Sequence, residues 1–238
     1  GIVSYTQMLE RLEILCRTVD AGVIADADTG YGGLLNVDHT VRGFEAAGAV
    51  AIQLEDQEFP KKCGHTPGKR VIPAEEMVKK IRVACTARET PDTLIIARTD
   101  ARQVEGFAGA VDRGQAYRDA GADVEFVEAL TTEEEMRTAC ARIDAPMMAN
   151  MADGGLTPSL PAETLREIGY AMAIFPSLTG LATAAAVETA LTALKRTGTS
   201  QTPEVPLMEF AEFNRLIGFE RVWAFDAEWA EDAPDAAE

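Results

Sequence analysis

The sequence Thr93-Leu94-Ile95-Ile96-Ala97-Arg98-Thr99-Asp100 is an apolar run that ends abruptly in charged residues. Its apolar part does not alternate with polar positions, which is typical of a strand covered on both faces. Five other short runs rich in Val, Ile, Met or Ala have the same character. The six predicted strands are Gly22–Ala25, Val50–Leu54, Thr93–Ala97, Asp123–Val127, Pro146–Ala149 and Ala171–Phe175.

Helical patterns alternate with these strands, and this alternation predicts a parallel sheet with helices outside it. Nearly every predicted strand ends in a polar residue, and the G-x-G-x-x-G fingerprint of a Rossmann sheet is absent. In a (β/α)₈ barrel all strand ends converge on one face. We therefore expect an α/β protein with the (β/α)₈ TIM-barrel fold. The predicted helices are Thr6–Thr18, Val37–Ala46, Pro73–Arg88, Phe107–Ala120, Thr132–Ile143, Pro161–Ile168, Gly180–Lys195 and Leu207–Ile217.

The number of strands is lower than the eight that a closed barrel needs. The simplest account is that the first one or two βα units are missing from this chain. The alternative is that two strands escape detection, but no candidate run remains. We expect residues 1–238 to form a single barrel domain with C-terminal helices, and residues 228–238 to form a frayed acidic tail.

The composition narrows the class of function. The 238 residues include 22 Lys and Arg against 39 Asp and Glu, a net charge of −17, which argues against nucleic-acid binding but not against a small anionic substrate. No apolar run approaches the roughly 18 residues of a membrane span, and no secretory signal is visible. The four cysteines form no C-x-x-C pair. We expect reduced thiols in a cytoplasmic protein that binds neither membranes nor nucleic acids.

Four carboxylates, Asp26, Asp28, Glu55 and Asp56, follow the first two predicted strands and are expected on one rim. Asp26 and Asp28 lie two residues apart and can share a hard cation, and Glu55 follows the next strand. The alternative is a polar turn or a salt bridge at the barrel rim. Because Mg²⁺ usually keeps several waters, we expect one direct ligand and several that act through water. The absence of a His/Cys cluster argues against zinc.

A long loop from about Asp56 to Arg70 carries the sequence Lys61-Lys62-Cys63-Gly64-His65. Long loops in compact domains are often lids. Neighbouring positive charge favours the thiolate form of a cysteine, which suits Cys63 to acid/base or nucleophilic chemistry. The alternative is a basic surface loop with an incidental cysteine. The other cysteines, Cys16, Cys85 and Cys140, are expected to pack in the core.

Arg98 ends an apolar strand, where a guanidinium needs a carboxylate partner. That partner is either a substrate carboxylate or a rim residue such as Glu128 or Asp28. Asn150 and Thr157 follow the next strand and can hydrogen-bond a ligand or cap a loop.

Together these motifs resemble the isocitrate lyase/phosphoenolpyruvate mutase superfamily over nearly the whole chain. The Lys61–His65 pentapeptide is the most specific of them. The resemblance implies a (β/α)₈ barrel, a Mg²⁺ (or Mn²⁺) cofactor and 2-oxo acid chemistry. The chain departs from the family pattern at its beginning, where a Tyr-x-Ser-Gly element has no counterpart. The matching segments are Asp26–Gly32, Glu55–Gln57, Lys61–His65, Ala97–Asp100 and Asn150–Pro158.

The resemblance also implies residue roles. Asp28 is expected to bind the metal directly, while Asp26 and Glu55 hold metal-bound waters. Cys63 is expected to be the general acid/base on the mobile loop. Lys61, Lys62 and His65 support Cys63, and the residues expected to bind the substrate are Arg98, Glu128, Asn150, Gly64, His65 and Thr157.

The expected activity is cleavage of a 2-hydroxy di- or tricarboxylate, similar to 2-methylisocitrate or dimethylmalate, by a carbon–carbon lyase. The alternatives are a carboxyphosphonoenolpyruvate or phosphoenolpyruvate phosphonomutase, an oxaloacetate hydrolase, and a catalytically silent homologue that serves as a structural subunit. The resemblance further implies a homotetramer in which a C-terminal helix is swapped between neighbours.

Overall fold

The computed structural model describes residues 1–201 and 204–230. Six strands form one parallel sheet whose spatial order follows the chain, β1-β2-β3-β4-β5-β6. All six predicted strands are confirmed, with small shifts at their ends. The strands are β1 (Val23–Asp26), β2 (Ala49–Glu55), β3 (Leu94–Thr99), β4 (Val124–Val127), β5 (Met147–Asn150) and β6 (Tyr170–Ile174).

Helices follow every strand. Side-chain caps mark the start of two helices. Ser4 and Gln7 form a capping box at the first helix, and Thr132 caps the fifth. The helices are α1 (Tyr5–Thr18), α2 (Leu34–Ala46), α3 (Ala74–Ala87), α4 (Arg102–Asp119), α5 (Glu133–Arg142), α6 (Ala162–Ile168), α7 (Leu178–Thr197), α8 (Phe210–Leu216) and α9 (Phe219–Trp229).

Two helices differ from the prediction. Helix α4 begins five residues before Phe107 and is interrupted at Gly106, whose φ of 84° only glycine adopts easily. Because of this break, the residues before Gly106 do not continue the apolar periodicity of the rest of α4, and the predicted helix begins too late. Helix α9 was not predicted, and it includes the first two residues of the expected frayed tail. Residues 231–238 of that tail lie outside the described residues.

Sequential parallel strands with helices between them are the connectivity of a TIM barrel, here with six of the eight βα units. The sheet has a core on each face. Ile96, Phe126 and Met148 pack together on its inner face, while Val37, Ile81 and Met136 belong to the layers between the strands and the helices. The observed connectivity confirms the predicted α/β-barrel fold.

The chain divides into two compact units, residues 1–178 and residues 179–238. The first contains all six strands and six helices, α1 to α6. The described part of the second contains most of α7 and all of α8 and α9, and α8 and α9 contain no buried residue. In the described ranges, no helix has both the length and the apolar character needed to cross a membrane.

Candidate active site

A cavity of about 490 Å³ lies at the carboxyl ends of the strands. Every strand or the residues just after it contribute to its lining, so the sheet curls around the cavity. The loop between β2 and α3 supplies the remaining wall. The residues that represent the six strands in the lining are Ile24, Gln53, Arg98, Glu128, Asn150 and Ile174.

Three predicted carboxylates converge beside this cavity on the ammonium group of Lys61. Its Nζ lies 2.5 Å from Asp28 Oδ1, 3.4 Å from Glu55 Oε2 and 3.8 Å from Asp26 Oδ2. Burial alone would lower the pKa of Lys61, but these carboxylates raise it above its ordinary value. The Lys61 ammonium contacts all three carboxylates, and Arg98 Nε also lies 3.6 Å from Glu55 Oε2.

The donor set fits a hard divalent cation. Glu55 is fully buried, and its Oε1 has no hydrogen-bond partner. Burial raises the pKa of Glu55 to about 7 despite the opposing charges of Arg98 and Lys61. Such a carboxylate gains from additional positive charge, and oxygen ligands are those that Mg²⁺ prefers.

The spacing of these groups limits direct coordination. Within residues 1–201 and 204–230, no three or more His, Cys, Asp or Glu side chains are close enough to hold one metal ion together. A divalent cation bound here would therefore take at most two of these carboxylates directly, and the one-direct-ligand arrangement stays a prediction.

The guanidinium of Arg98 is held among carboxylates at the cavity wall. Its Nε lies 2.8 Å from Asp100 Oδ2, and its Nη2 lies 3.1 Å from Glu128 Oε2. The group also lies 5.0 Å from the centre of the Phe126 ring. The rim salt bridge with Glu128 that the sequence allowed is therefore present. It leaves Arg98 in the lining of the cavity, fixed in orientation.

The loop between β2 and α3 is tied at its base. The backbone N–H of Glu58 donates to the carbonyl of Arg70 at 2.9 Å. The side chain of Gln57 both accepts from the N–H and donates to the carbonyl of Lys62, each at 2.9 Å. These contacts hold the loop over the cavity, where Cys63 is exposed and forms part of the lining.

Gly64 brings the backbone of this loop onto the barrel. A Cβ atom at this position would lie 2.4 Å from Arg98 Nη2 and 2.7 Å from Glu128 Cγ. Only glycine therefore allows the observed approach. This contact explains why a glycine stands between Cys63 and His65.

His65 connects the loop to two strand ends. Its Nδ1 accepts a hydrogen bond from the N–H of Leu156 at 3.0 Å, so the neutral ring carries its proton on Nε2. That Nε2 lies 3.4 Å from Glu128 Oε1. Asn150 Nδ2 donates to Glu128 Oε2 at 3.0 Å, while the buried Asn150 Oδ1 has no hydrogen-bond partner. Asn150 therefore offers an acceptor beside the cavity.

Most of the predicted site residues come together in the structure. Thr157 is the exception: it is half-buried in a turn after β5 and does not belong to the cavity lining. The predicted residues in the lining are Asp26, Lys61, Lys62, Cys63, Gly64, His65, Arg98, Glu128 and Asn150, with Asp28 and Glu55 adjoining them through Lys61.

Asp56 has a different place from its neighbour Glu55. It is fully buried and accepts from Thr99 Oγ1 at 2.7 Å, Tyr117 Oη at 2.8 Å and the N–H of Asp100 at 2.8 Å. Arg113 Nη1 lies 3.2 Å from it. Asp56 therefore fixes the end of β3 from behind. The expectation that Asp56 shares the rim with Glu55 is therefore wrong, because adjacent residues at a strand end point to opposite faces and Asp56 is outside the cavity lining.

Fold and site together define an α/β-barrel protein with an acidic cluster, an arginine and a cysteine-bearing loop around one cavity. The family model for phosphoenolpyruvate phosphomutase matches residues 1–195. The chain therefore belongs to this family, within the isocitrate lyase/PEP mutase superfamily of enzymes.

Relatives in this superfamily include lyases. The chain is 48% identical over 219 residues to the 2-methylisocitrate lyase of Aeropyrum pernix, covering 92% of this chain and 70% of that protein. It is 42% identical over 222 residues to the 2,3-dimethylmalate lyase of Eubacterium barkeri, covering 93% and 77%.

Solved structures of related enzymes share the fold of this chain. A crystal structure of 2,3-dimethylmalate lyase superposes with a TM-score of 0.87 at 35% identity, covering 100% of this chain and 80% of that one. Phosphonopyruvate hydrolase in complex with oxalate and Mg²⁺ superposes with a TM-score of 0.84 at 30% identity, covering 97% and 81%.

Proposed function

We propose that this protein is a Mg²⁺-dependent carbon–carbon lyase. Its substrate is a 2-hydroxy di- or tricarboxylate similar to dimethylmalate or 2-methylisocitrate, and its products are a 2-oxo acid and a second carboxylate. The proposal is supported mainly by the convergence of Asp26, Asp28 and Glu55 on the Lys61 ammonium beside Arg98, under a loop that bears Cys63.

Asp28 would hold the metal directly, and Asp26 and Glu55 would hold its waters; Mn²⁺ suits the same oxygen ligands. A divalent ion bound there would stabilise negative charge on the 2-hydroxyl oxygen and the adjacent carboxylate of the substrate. Arg98 is fixed by Asp100 and Glu128, so it binds a substrate carboxylate in one orientation. Glu128, Asn150, Gly64 and His65 complete the wall around it.

The reaction breaks the bond between the hydroxyl-bearing carbon and its neighbour. The 2-hydroxyl proton passes to solvent as its carbon becomes the carbonyl of the 2-oxo acid, and the electron pair of the broken bond remains on the neighbouring carbon, which belongs to the second carboxylate product. Cys63 donates a proton to that carbon, and its thiolate regains a proton from solvent after the products leave. Lys61 and His65 surround the reacting groups with donors. Because the closed loop excludes water, the charge contacts of Arg98 strengthen during the reaction.

A second candidate uses the same site on a phosphorus compound or on oxaloacetate. The superposition with phosphonopyruvate hydrolase supports it, since the two chains share the barrel fold. The test is to incubate the protein with Mg²⁺ and each of four acids: dimethylmalate, 2-methylisocitrate, oxaloacetate and phosphonopyruvate. Release of pyruvate or another 2-oxo acid from the first two alone is the expected result. Turnover of only the last two would replace the lyase by a hydrolase or mutase, and no turnover of any would indicate a silent homologue.

We further propose a cytoplasmic homotetramer that exchanges a C-terminal helix between neighbouring subunits. The exposed apolar side chains of α8 and α9 support an assembly, because such surface is rarely left in water.

A further inference from the structure

Lys69 is a buried lysine on the loop that covers the cavity, and the proposed chemistry does not use it. Only 7% of its surface is exposed. Its Nζ donates to Asp100 Oδ1 at 2.9 Å and to the carbonyl oxygen of Gly64 at 2.5 Å. A buried ammonium loses its hydration and is stable only with such partners.

Asp100 is shared between Lys69 and Arg98. The same carboxylate accepts from Arg98 Nε at 2.8 Å and from Arg98 Nη2 at 3.2 Å. Burial alone would raise the pKa of Asp100, but Arg98 and Lys69 lower it below its ordinary value. Asp100 is therefore charged at neutral pH, and both cations determine where it lies.

Gly64 is the other partner of Lys69, and it lies at the tip of the loop between Cys63 and His65. Lys69 itself is next to the tied base, where Arg70 accepts from the N–H of Glu58. The Lys69 side chain therefore starts at the base of the loop, and its ammonium binds both Gly64 at the loop tip and Asp100 on the barrel.

We propose that Lys69 is a positioning residue that couples the closed position of the loop tip to the orientation of Arg98. The connection runs from the Gly64 carbonyl through the Lys69 ammonium and the Asp100 carboxylate to the guanidinium. Lys69 takes no part in bond breaking. The inference rests on the proposed function only in assigning Arg98 to the substrate.

The first test compares Lys69→Met with Lys79→Met, which removes an exposed lysine from α3. Hydrogen–deuterium exchange is measured in residues 61–66. We expect exchange there to rise at least about tenfold in Lys69→Met, the effect of losing a hydrogen bond to a charged group. Exchange in the strands should stay unchanged, and Lys79→Met should match the parent protein. Unchanged exchange of residues 61–66 in a folded Lys69→Met would overturn the proposal.

The coupling to Arg98 is tested in the same variants by kinetics. In Lys69→Met we expect kcat to fall about tenfold or more, and addition of Lys69→Met to Asp100→Asn to cause no further loss. Independent, multiplying effects would contradict a connection through Asp100. Because exchange requires no turnover, failure of the proposed lyase activity leaves the first test valid.

The unmodified protein provides a third test should Lys69→Met fail to fold. Acetic anhydride labelling, followed by mass spectrometry, should modify Lys69 at least about tenfold more slowly than Lys79, the effect of holding the ammonium in two hydrogen bonds. Oxalate with Mg²⁺ should slow the labelling of Lys69 further, since coupling is reciprocal. Equal labelling of both lysines, or oxalate binding without an effect on Lys69, would refute the proposal. Absence of oxalate binding would instead count against the proposed substrate site.

Discussion

Cys63 is the side chain on which the proposed proton transfer depends. It is exposed on the loop and lines the cavity, so it reaches a ligand without contributing to the core. We expect Cys63→Ser to lower kcat about 10²–10⁴-fold, the usual contribution of a positioned proton donor. Binding of oxalate with Mg²⁺, measured by calorimetry, should persist. Near-normal turnover of Cys63→Ser would remove the residue from the mechanism.

Gly64 permits a contact that no other residue allows. In Gly64→Ala the added Cβ would meet Arg98 and Glu128, so the loop tip has to withdraw from the barrel. We expect kcat/KM to fall roughly 100-fold, as misplacement by about 1 Å does, with little change in melting temperature.

Gly180→Ala is the matched control for Gly64→Ala, since a Cβ at that helical position meets nothing within 4 Å. Equal kinetic effects of the two substitutions would show that the close approach at Gly64 is unimportant.

At the scale of elements, β4 carries an unexpected carboxylate. Glu125 is fully buried, and neither of its oxygens has a hydrogen-bond partner. Burial, with a smaller effect of Asp56, raises its pKa well above the ordinary value. The folded chain therefore holds the Glu125 proton more tightly than the unfolded chain does.

This imbalance predicts how stability depends on pH. Above the ordinary carboxyl pKa the unfolded state releases its proton while the folded state keeps it, so the Glu125 contribution falls as pH rises. We expect Glu125→Gln to flatten this slope and Glu125→Met to add roughly 1–3 kcal/mol at pH 8, the cost of an unsatisfied buried polar group. Urea unfolding from pH 5 to pH 8 measures both, with the exposed Glu134→Gln on α5 as control. An unchanged slope in Glu125→Gln would contradict the burial argument.

The strands of this protein can be predicted from its sequence more readily than some of its buried charged residues. The six strands are visible because apolar runs with polar ends reflect burial on both faces, a local property. Once the strands are assigned, the proximity of Asp28, Glu55 and Arg98 can be predicted, because the ends of parallel strands meet at one rim. The roles of Lys69 and Asp56 cannot be predicted in this way. Their partners lie in distant segments, and a sequence does not distinguish a buried charged residue from an exposed one. Helix α9 is also not predicted from the sequence, because it follows no strand and none of its residues is buried.

At the scale of the whole molecule, the C-terminal helices present apolar surface. In α9 the side chains of Trp223, Phe225 and Trp229 are 47%, 61% and 66% exposed. Burying such side chains stabilises an interface by roughly 2 kcal/mol each. We therefore expect light scattering to give a mass well above the 25.6 kDa of one chain.

Trp223→Ser should lower that mass, while Arg221→Ser on the same helix should not. A monomer in the unsubstituted protein, or equal masses in both variants, would contradict an assembly through α9.

The proposed activity depends on one divalent cation that Asp28 binds at the barrel rim beside Arg98, with Asp26 and Glu55 holding its waters. Titration with Mn²⁺, followed by electron paramagnetic resonance of the free ion, tests this most directly because it requires no substrate. We expect one bound ion per chain in the unsubstituted protein, loss of that binding in Asp28→Asn, and retention in Glu134→Asn. No binding by the unsubstituted chain, or unchanged binding in Asp28→Asn, would contradict a metal site at Asp28.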